Sequence, residues 1–415
     1  AAFAADPFRV MTRTLPSPAG QLRLAEVCDT ARLSGTVTLA RAVERALCAN
    51  PATRSAWLAA RLRAAELGLA QSAYLPDVTL GGSLARTGDE VFPNDQTAWR
   101  FGLDAQVLLY DFGGREARRD AAESLLAASL ASQDATVRIV YLQTVTAYFN
   151  LLTAQAAIVA ANDTEASALA ALKAATARVE VGSGIPADRL QAKTVYTQRQ
   201  IERIRAEGLA ARLQGELAAL MGDASQTGFA VVDDERAFNQ TLDMDNAVDT
   251  LIEAARSRRP ELRAAEATLL AREAGVRSVE ADGKPTLSAF ASAQRQDSGL
   301  FEAATSSSLG INLTIPLFTG YRNTYQIMAA QTLAEQAAVD RDSVENQVAL
   351  DVWRAYHKLK SEIEADSRSA DLVESATAAE RLALGRYEAG LGILLDVLAA
   401  QANLAQARYT QLLTR

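Results

Sequence analysis

Few side chains in this sequence are equipped for catalysis. His357 is the one histidine, and Cys28 and Cys48 are the two cysteines. That is too few for most zinc sites, and any Ser-His-Asp or Cys-His nucleophile would have to use His357. His357 lies in a charged helical run and reads as structural. Gly182-Ser183-Gly184 lacks the preceding strand and the spacing of a phosphate loop and reads as a turn. No enzyme activity and no cofactor are expected. The chemistry-bearing residues that do recur are carboxylates: Asp188 and Asp396 each close the motif Arg-x-Glu-x-Gly-x-Gly-Ile-x-x-Asp, begun at Arg178 and Arg386. In the first turn of a helix each gains about 0.3–1 kcal/mol from the macrodipole. Brought together around an axis in several copies, they would form an acidic ring that favours cations.

The elements that position these residues follow from composition and repetition. Against 42 Lys and Arg stand 50 Asp and Glu, a net charge of −8 without a concentrated basic stretch, so nucleic acid is not an expected partner. Hydrophobic residues are 49% of the chain but aromatics only 6%, and the surplus of alanine and leucine suits long, closely packed helices. Residues 139–162 carry no charge, yet their Gln, Thr and Asn content, and the charges at the matching place in the second half, argue against a membrane-spanning helix. The chain starts at Ala1 with no visible signal peptide, which predicts a mature, processed form.

Sliding the chain along itself reveals a tandem repeat. Pro51 matches Pro260 and Pro76 matches Pro285 at an offset of 209; YDFGG ending at Gly114 matches PLFTG ending at Gly320 at 206; RVEVGSGIPADRLQA matches RYEAGLGILLDVLAA at 208. The expected organisation is an N-terminal arm (1–37), a first repeat (38–222), a linker (223–245) and a second repeat (246–415). Within repeat one, helices are expected over Thr38–Cys48, from Pro51 to about Leu75, from Arg115 to about Val181 and from Ala187 to about Leu220. The two shorter helices flanking the longest nearly equal it in length, which predicts a rod with the linker at mid-height. Val145, Tyr148 and Leu152 read as a coiled-coil seam.

Strands are expected at about 77–87, 99–111, 286–295 and 307–318. In Trp99–Phe112, odd positions through Leu103, Val107 and Leu109 are apolar, while Arg100, Asp104 and Gln106 alternate with them. Leu309, Ile311, Leu313 and Ile315 form the matching apolar set in the fourth strand, with Leu313 expected near mid-bilayer. No helix is free to cover such a face. Four strands cannot close a barrel, so closure has to come from several copies: two give eight strands filled by their own side chains, three give twelve strands around a passage, and Arg100, Asp104 and Gln106 favour the open, wet interior. Leu103, Val107, Leu309, Ile311, Leu313 and Ile315 are then lipid-facing, and Arg100, Asp104 and Gln106 lumen-facing. The competing reading is a soluble coiled-coil scaffold.

The helix-strand-strand-helix repeat, the LP and KP steps into strands, and RYEAGLGILLDVLAAQ from Arg386 to Gln401 resemble the TolC-type outer-membrane efflux and secretion channels. The resemblance covers roughly Thr38–Arg415. It implies a mainly α fold with a transmembrane β part: a homotrimeric twelve-stranded β-barrel in the outer membrane of a Gram-negative bacterium, continued by a long periplasmic α-helical coiled-coil barrel. The implied partners are a periplasmic adaptor protein, an inner-membrane pump and outer-membrane lipid. The segment from Cys28 to Trp57 resembles the type I protein-secretion exit ducts, that of the adenylate cyclase toxin among them, which puts an ABC exporter ahead of a proton-driven pump. The cargo is secreted protein or small toxic compounds.

By the same resemblance Asp396 lines the tip constriction, Asp188 links neighbouring coils, and Tyr387 belongs to the closing network. Gly182, Gly184, Gly390 and Gly392 make the tip turns. Gly392 stands where some relatives place a linking arginine, and Ala399 where some place a second aspartate ring. In an oxidising periplasm Cys28 and Cys48 are expected to form a disulfide that ties down the arm.

Overall fold

The computed structural model describes residues 6–14, 35–87, 96–222, 228–232, 248–297 and 303–414. Their strands are β1 (Gly35–Val37), β2 (Asp77–Thr87), β3 (Gln96–Tyr110), β4 (Phe229–Val231), β5 (Thr286–Asp297) and β6 (Ala304–Thr314). Their α-helices are α1 (Leu39–Ala49), α2 (Pro51–Ser72), α3 (Gly114–Glu180), α4 (Pro186–Leu220), α5 (Val248–Arg258), α6 (Pro260–Asp282), α7 (Arg322–Glu388) and α8 (Leu394–Thr414). The chain divides into two compact units. One comprises 1–18, 55–135 and 258–347; the other comprises 19–54, 136–257 and 348–415.

The first unit carries a four-stranded antiparallel sheet in the order β2-β3-β5-β6. Within one chain it is open, with β2 and β6 as its edges. β6 stops at Thr314 instead of reaching Phe318, because Pro316 has no N–H to continue a ladder. Ile315, expected within this strand, therefore lies just beyond it. β3 carries a bulge between Leu108 and Tyr110 that shifts its register on β5, so Tyr110, not Leu109, stands opposite Leu287. The strict alternation read through Leu109 fails there.

Arg115 secures the bulge. Its Nη1 donates to the Leu108 carbonyl at 2.6 Å and its Nη2 to that of Leu109 at 3.1 Å. Buried Asp111 accepts the Arg115 backbone N–H at 2.6 Å and starts α3. Positive φ occurs at Phe112 and Gly113 before α3 and at Gly320 and Tyr321 before α7. The turns thus align at an offset of 208, correcting the 206 read from YDFGG and PLFTG.

Also in this unit, Val10 of a short 3₁₀ helix is buried against Ala64, Leu67 and Leu126. Arg118 to Asp282, Arg277 to Asp120 and Arg263 to Asp134 form ion pairs that fix α3 and α6 as antiparallel neighbours. All three involve exposed side chains and each contributes at most about 1 kcal/mol.

The second unit holds a feature that periodicity did not show: β1 and β4 pair in parallel, with Val37 opposite Val231. Beneath them lies a core of Val37, Ala42, Ala46, Val140, Tyr148, Leu151, Leu217, Met221 and Phe229. Part of the uncharged run of α3, Val140, Ala147, Tyr148 and Leu151, is buried in this core, while Ile139, Tyr141, Leu142 and Val159 of the same run are exposed in the single chain. Tyr148 anchors this core, and Val145 and Leu152 pack against it. The Tyr148 hydroxyl lies 2.9 Å from the Val37 carbonyl and 2.6 Å from that of Val232, and accepts the Val232 N–H at 3.2 Å. Tyr148→Phe should leave these backbone groups short of a partner at a cost of about 1–3 kcal/mol. Hydrogen exchange is expected to quicken about tenfold or more in residues 35–37 and 229–232, and to stay unchanged in the α3–α4 turn.

Candidate functional site: the two sheet faces and the helical tip

Directly opposed residues in an antiparallel sheet share a face. One face is built from Val78, Ala105, Ala291 and Leu309 in one cross-strand row, and from Leu80, Leu103, Ala293 and Ser307 in the next. Val107, Ala289 and Ile311 form a third row, and Leu287 with Leu313 a fourth. Leu103, Leu309, Ile311 and Leu313 are exposed in the single chain, as is Ile315 beyond the strand; Val107 is half-buried. Leu309 is the central residue of β6, whereas Leu313 is one position from its end, beside the turn into α7. This corrects the mid-strand placement expected for Leu313.

The opposite face gathers Thr79, Asp104, Ser292 and Ser308, with the two serine hydroxyls 2.8 Å apart. Arg100 stands between Ser83 and Gln296, and Gln106 between Asp77 and Phe290. Phe290 and Leu108, the latter opposite Ser288, are large apolar residues on this polar face, and Phe290 lies across Gly310. A Cβ added at Gly310 would come within 2.7 Å of its ring. The aromatic interrupts the pattern because its partner strand offers a position without a side chain.

In the second unit, the α3–α4 and α7–α8 connections are built alike. The backbone N–H of Ser183 donates to the Arg178 carbonyl at 2.9 Å, and that of Leu391 to the Arg386 carbonyl at 2.8 Å. Gly182 and Gly390 adopt φ of 75° and 76°, the left-handed conformation that glycine takes without strain. Gly184 and Gly392 press on the preceding helix: a Cβ would meet Arg178 at 2.9 Å in one turn and Arg386 at 3.3 Å in the other.

One side chain joins the two turns. Arg178 Nη1 donates to the Tyr387 carbonyl at 2.8 Å, and its guanidinium sits 4.7 Å from the centroid of the Tyr387 ring. Tyr387 is 2% exposed, packed with Ala171, Ala175, Ala192, Leu394 and Val397. Burial raises its phenol pKa above the ordinary value and the charge of Asp188 adds to this, while Arg178 opposes it. Asp188 is half-buried and Asp396 exposed, so the two equivalent carboxylates occupy different surroundings. Arg178 was legible only as one of two matching arginines. The signal for its role is the unequal partner position, Tyr387 in one repeat against Val179 in the other.

Cys48, in α1, is disulfide-bonded; Cys28 lies outside the described residues. With these as the only cysteines, purified protein denatured without reductant should titrate no free thiols and should run as an uncrosslinked chain on a non-reducing gel. Two titratable thiols, or a reductant-sensitive dimer, would exclude the intrachain bridge.

Comparison with known proteins places these features in context. The profile of the family described as outer membrane efflux protein matches residues 42–223 and 251–415. The chain is 30% identical to the protein CyaE of Bordetella pertussis over 91% of this chain and 80% of that protein. It is 24% identical to the outer membrane efflux protein BepC of Brucella suis, over 90% of this chain and 82% of that one. In three dimensions it resembles the outer membrane protein VceC of Vibrio cholerae with a TM-score of 0.77, 21% identity and coverage of 91% and 92% of the two chains.

Proposed function

Since the chain belongs to the outer membrane efflux protein family, we infer that three copies assemble, each contributing its four strands to one twelve-stranded barrel. The family's members are outer-membrane channels with a periplasmic helical portion, and this chain is such a channel, not a soluble scaffold. The observation that carries the barrel reading is the register of the sheet. It collects a continuous apolar face on one side and a polar face on the other, and it leaves β2 and β6 as edges. Twelve strands tilted around an axis enclose a wet passage. On this reading Leu103, Val107, Leu309, Ile311 and Leu313 face lipid, Ile315 sits at the membrane boundary, and Arg100, Asp104 and Gln106 line the lumen.

The α3–α4 and α7–α8 turns form the periplasmic tip, with Asp396 at its narrowest ring. Asp188, Tyr387 and Arg178 hold neighbouring helices closed. The channel works with a periplasmic adaptor and an inner-membrane ABC exporter, a reading supported by the Cys28–Trp57 resemblance and the likeness to CyaE. Its cargo is a secreted protein, with small toxic compounds as the alternative load. The purified protein in detergent should sediment as a trimer and open ion-conducting channels in planar bilayers. A monomer that stays soluble without detergent and conducts nothing would overturn the reading. Reversible crosslinking in cells, followed by identification of the captured inner-membrane component, separates an ABC exporter from a proton-driven pump.

A further inference from the structure

The apolar face of the sheet carries no charged residue along its middle rows; charges begin only at the end remote from the helices. There the register places Arg295 opposite Phe101 and Thr305, Asp297 opposite Trp99, and Arg86 opposite Thr97, all on the apolar face. Gly82, Ser83, Leu84, Trp99, Phe101 and Arg295 line a groove of about 800 Å³. Phe101 lies over Gly82, where a Cβ would come within 2.9 Å of the ring, and the Trp99 and Phe101 rings are 5.7 Å apart. The groove therefore has aromatic walls and a floor without a side chain. Arg295 is exposed and forms no ion pair among the described residues.

We propose that this groove binds the phosphate of a multiply acylated glycolipid in the outer leaflet, with Arg295 on the phosphate and Trp99, Phe101 and Leu84 against the acyl chains. The inference rests on the reading of this face as lipid-facing. β2 and β5 leave their helices at Asp77 and Thr286 and run toward Thr87 and Asp297, so a barrel continued by periplasmic helices presents the groove to the outer leaflet. A guanidinium at the border of hydrocarbon is costly without an anionic partner. Its planar donors match phosphate oxygens in pairs, and tryptophan favours the same interfacial depth. The complementarity is thus a cation and aromatic walls facing an anionic head and apolar tails.

The test uses the full chain, purified as its assembled form in detergent, with native mass spectrometry of bound lipid. The probes are bisphosphorylated hexa-acyl lipid A, the same lipid after enzymatic dephosphorylation, and inorganic phosphate. Wild-type protein should hold the phosphorylated lipid at least about tenfold more tightly than the dephosphorylated one. Arg295→Gln should erase that preference, and Arg295→Lys, which keeps the charge but not the paired donors, should retain only part of it. Trp99→Ala should weaken both lipids alike, and millimolar inorganic phosphate should displace neither. An Arg295→Gln protein with the wild-type preference, or a wild-type protein indifferent to phosphorylation, would overturn the site. Bilayer conductance of the same preparations separates the two levels. Channels that conduct normally without lipid preference remove the lipid site alone, whereas a wild-type protein that forms no channel removes the barrel and this site with it.

Discussion

Leu309→Arg is expected to abolish stable membrane assembly, while Ser308→Arg, the adjacent residue, is expected to leave it intact. Leu309 is central in β6, 84% exposed, and opposite Ala291 on the apolar face. In the proposed barrel an arginine there would meet the middle of the hydrocarbon at about 2–4 kcal/mol per copy, or about 6–12 kcal/mol for a trimer. Ser308 lies on the other face, beside Ser292, where water in the proposed lumen would solvate a guanidinium. Leu313→Arg should be intermediate, because its side chain reaches the interface near the end of β6 and the cost falls with depth to about 0–1 kcal/mol per copy. The measurement is the fraction of protein running as heat-sensitive trimer on unheated gels after extraction from outer membranes. Equal tolerance at 308, 309 and 313 would refute the assignment of faces.

That gradient illustrates what the sequence conveys and what it withholds. Period-two alternation identified the four long strands, because each has one apolar and one polar side. Alternation carries no depth, however, so Leu313 and Leu309 looked equivalent until the ends of β6 were known. The same limit hid the bulge, where an arginine seven positions along the chain binds the Leu108 carbonyl. The proline pairs and the tip motif exposed the tandem repeat, since both mark helix ends with fixed backbone requirements. β1 and β4 escaped because each is three residues long and their partnership depends on the Tyr148 hydroxyl beneath them. At the tip, repetition brought out Asp188 and Asp396 as equivalent residues. The inequivalence created by Arg178 and Tyr387 arises only when the two repeats pack together.

That inequivalence governs the second expected result: neutralising Asp396 should change ion selectivity, whereas neutralising Asp188 should change how readily the channel opens. Asp396 is exposed in the first turn of α8 and has no ion-pair partner among the described residues. Three copies around an axis would focus a negative potential, and focusing of this kind raises local counter-ion concentration by about tenfold or more. Asp396→Asn channels should therefore lose a comparable factor in cation preference and in sensitivity to block by multivalent cations. Asp188 is half-buried and lies close enough to the buried phenol of Tyr387 for its charge to act on it, which couples it to the packing between the two turns more than to an open passage. Asp188→Asn should leave the reversal potential near that of the wild type and alter the open fraction. If Asp396 were merely a helix-terminal carboxylate, its neutralisation would cost at most about 1 kcal/mol of stability with no electrical effect. Reversal potentials in asymmetric salt, measured for both variants in planar bilayers, separate the cases. Wild-type selectivity and block in Asp396→Asn would remove Asp396 from the constriction even with the barrel intact.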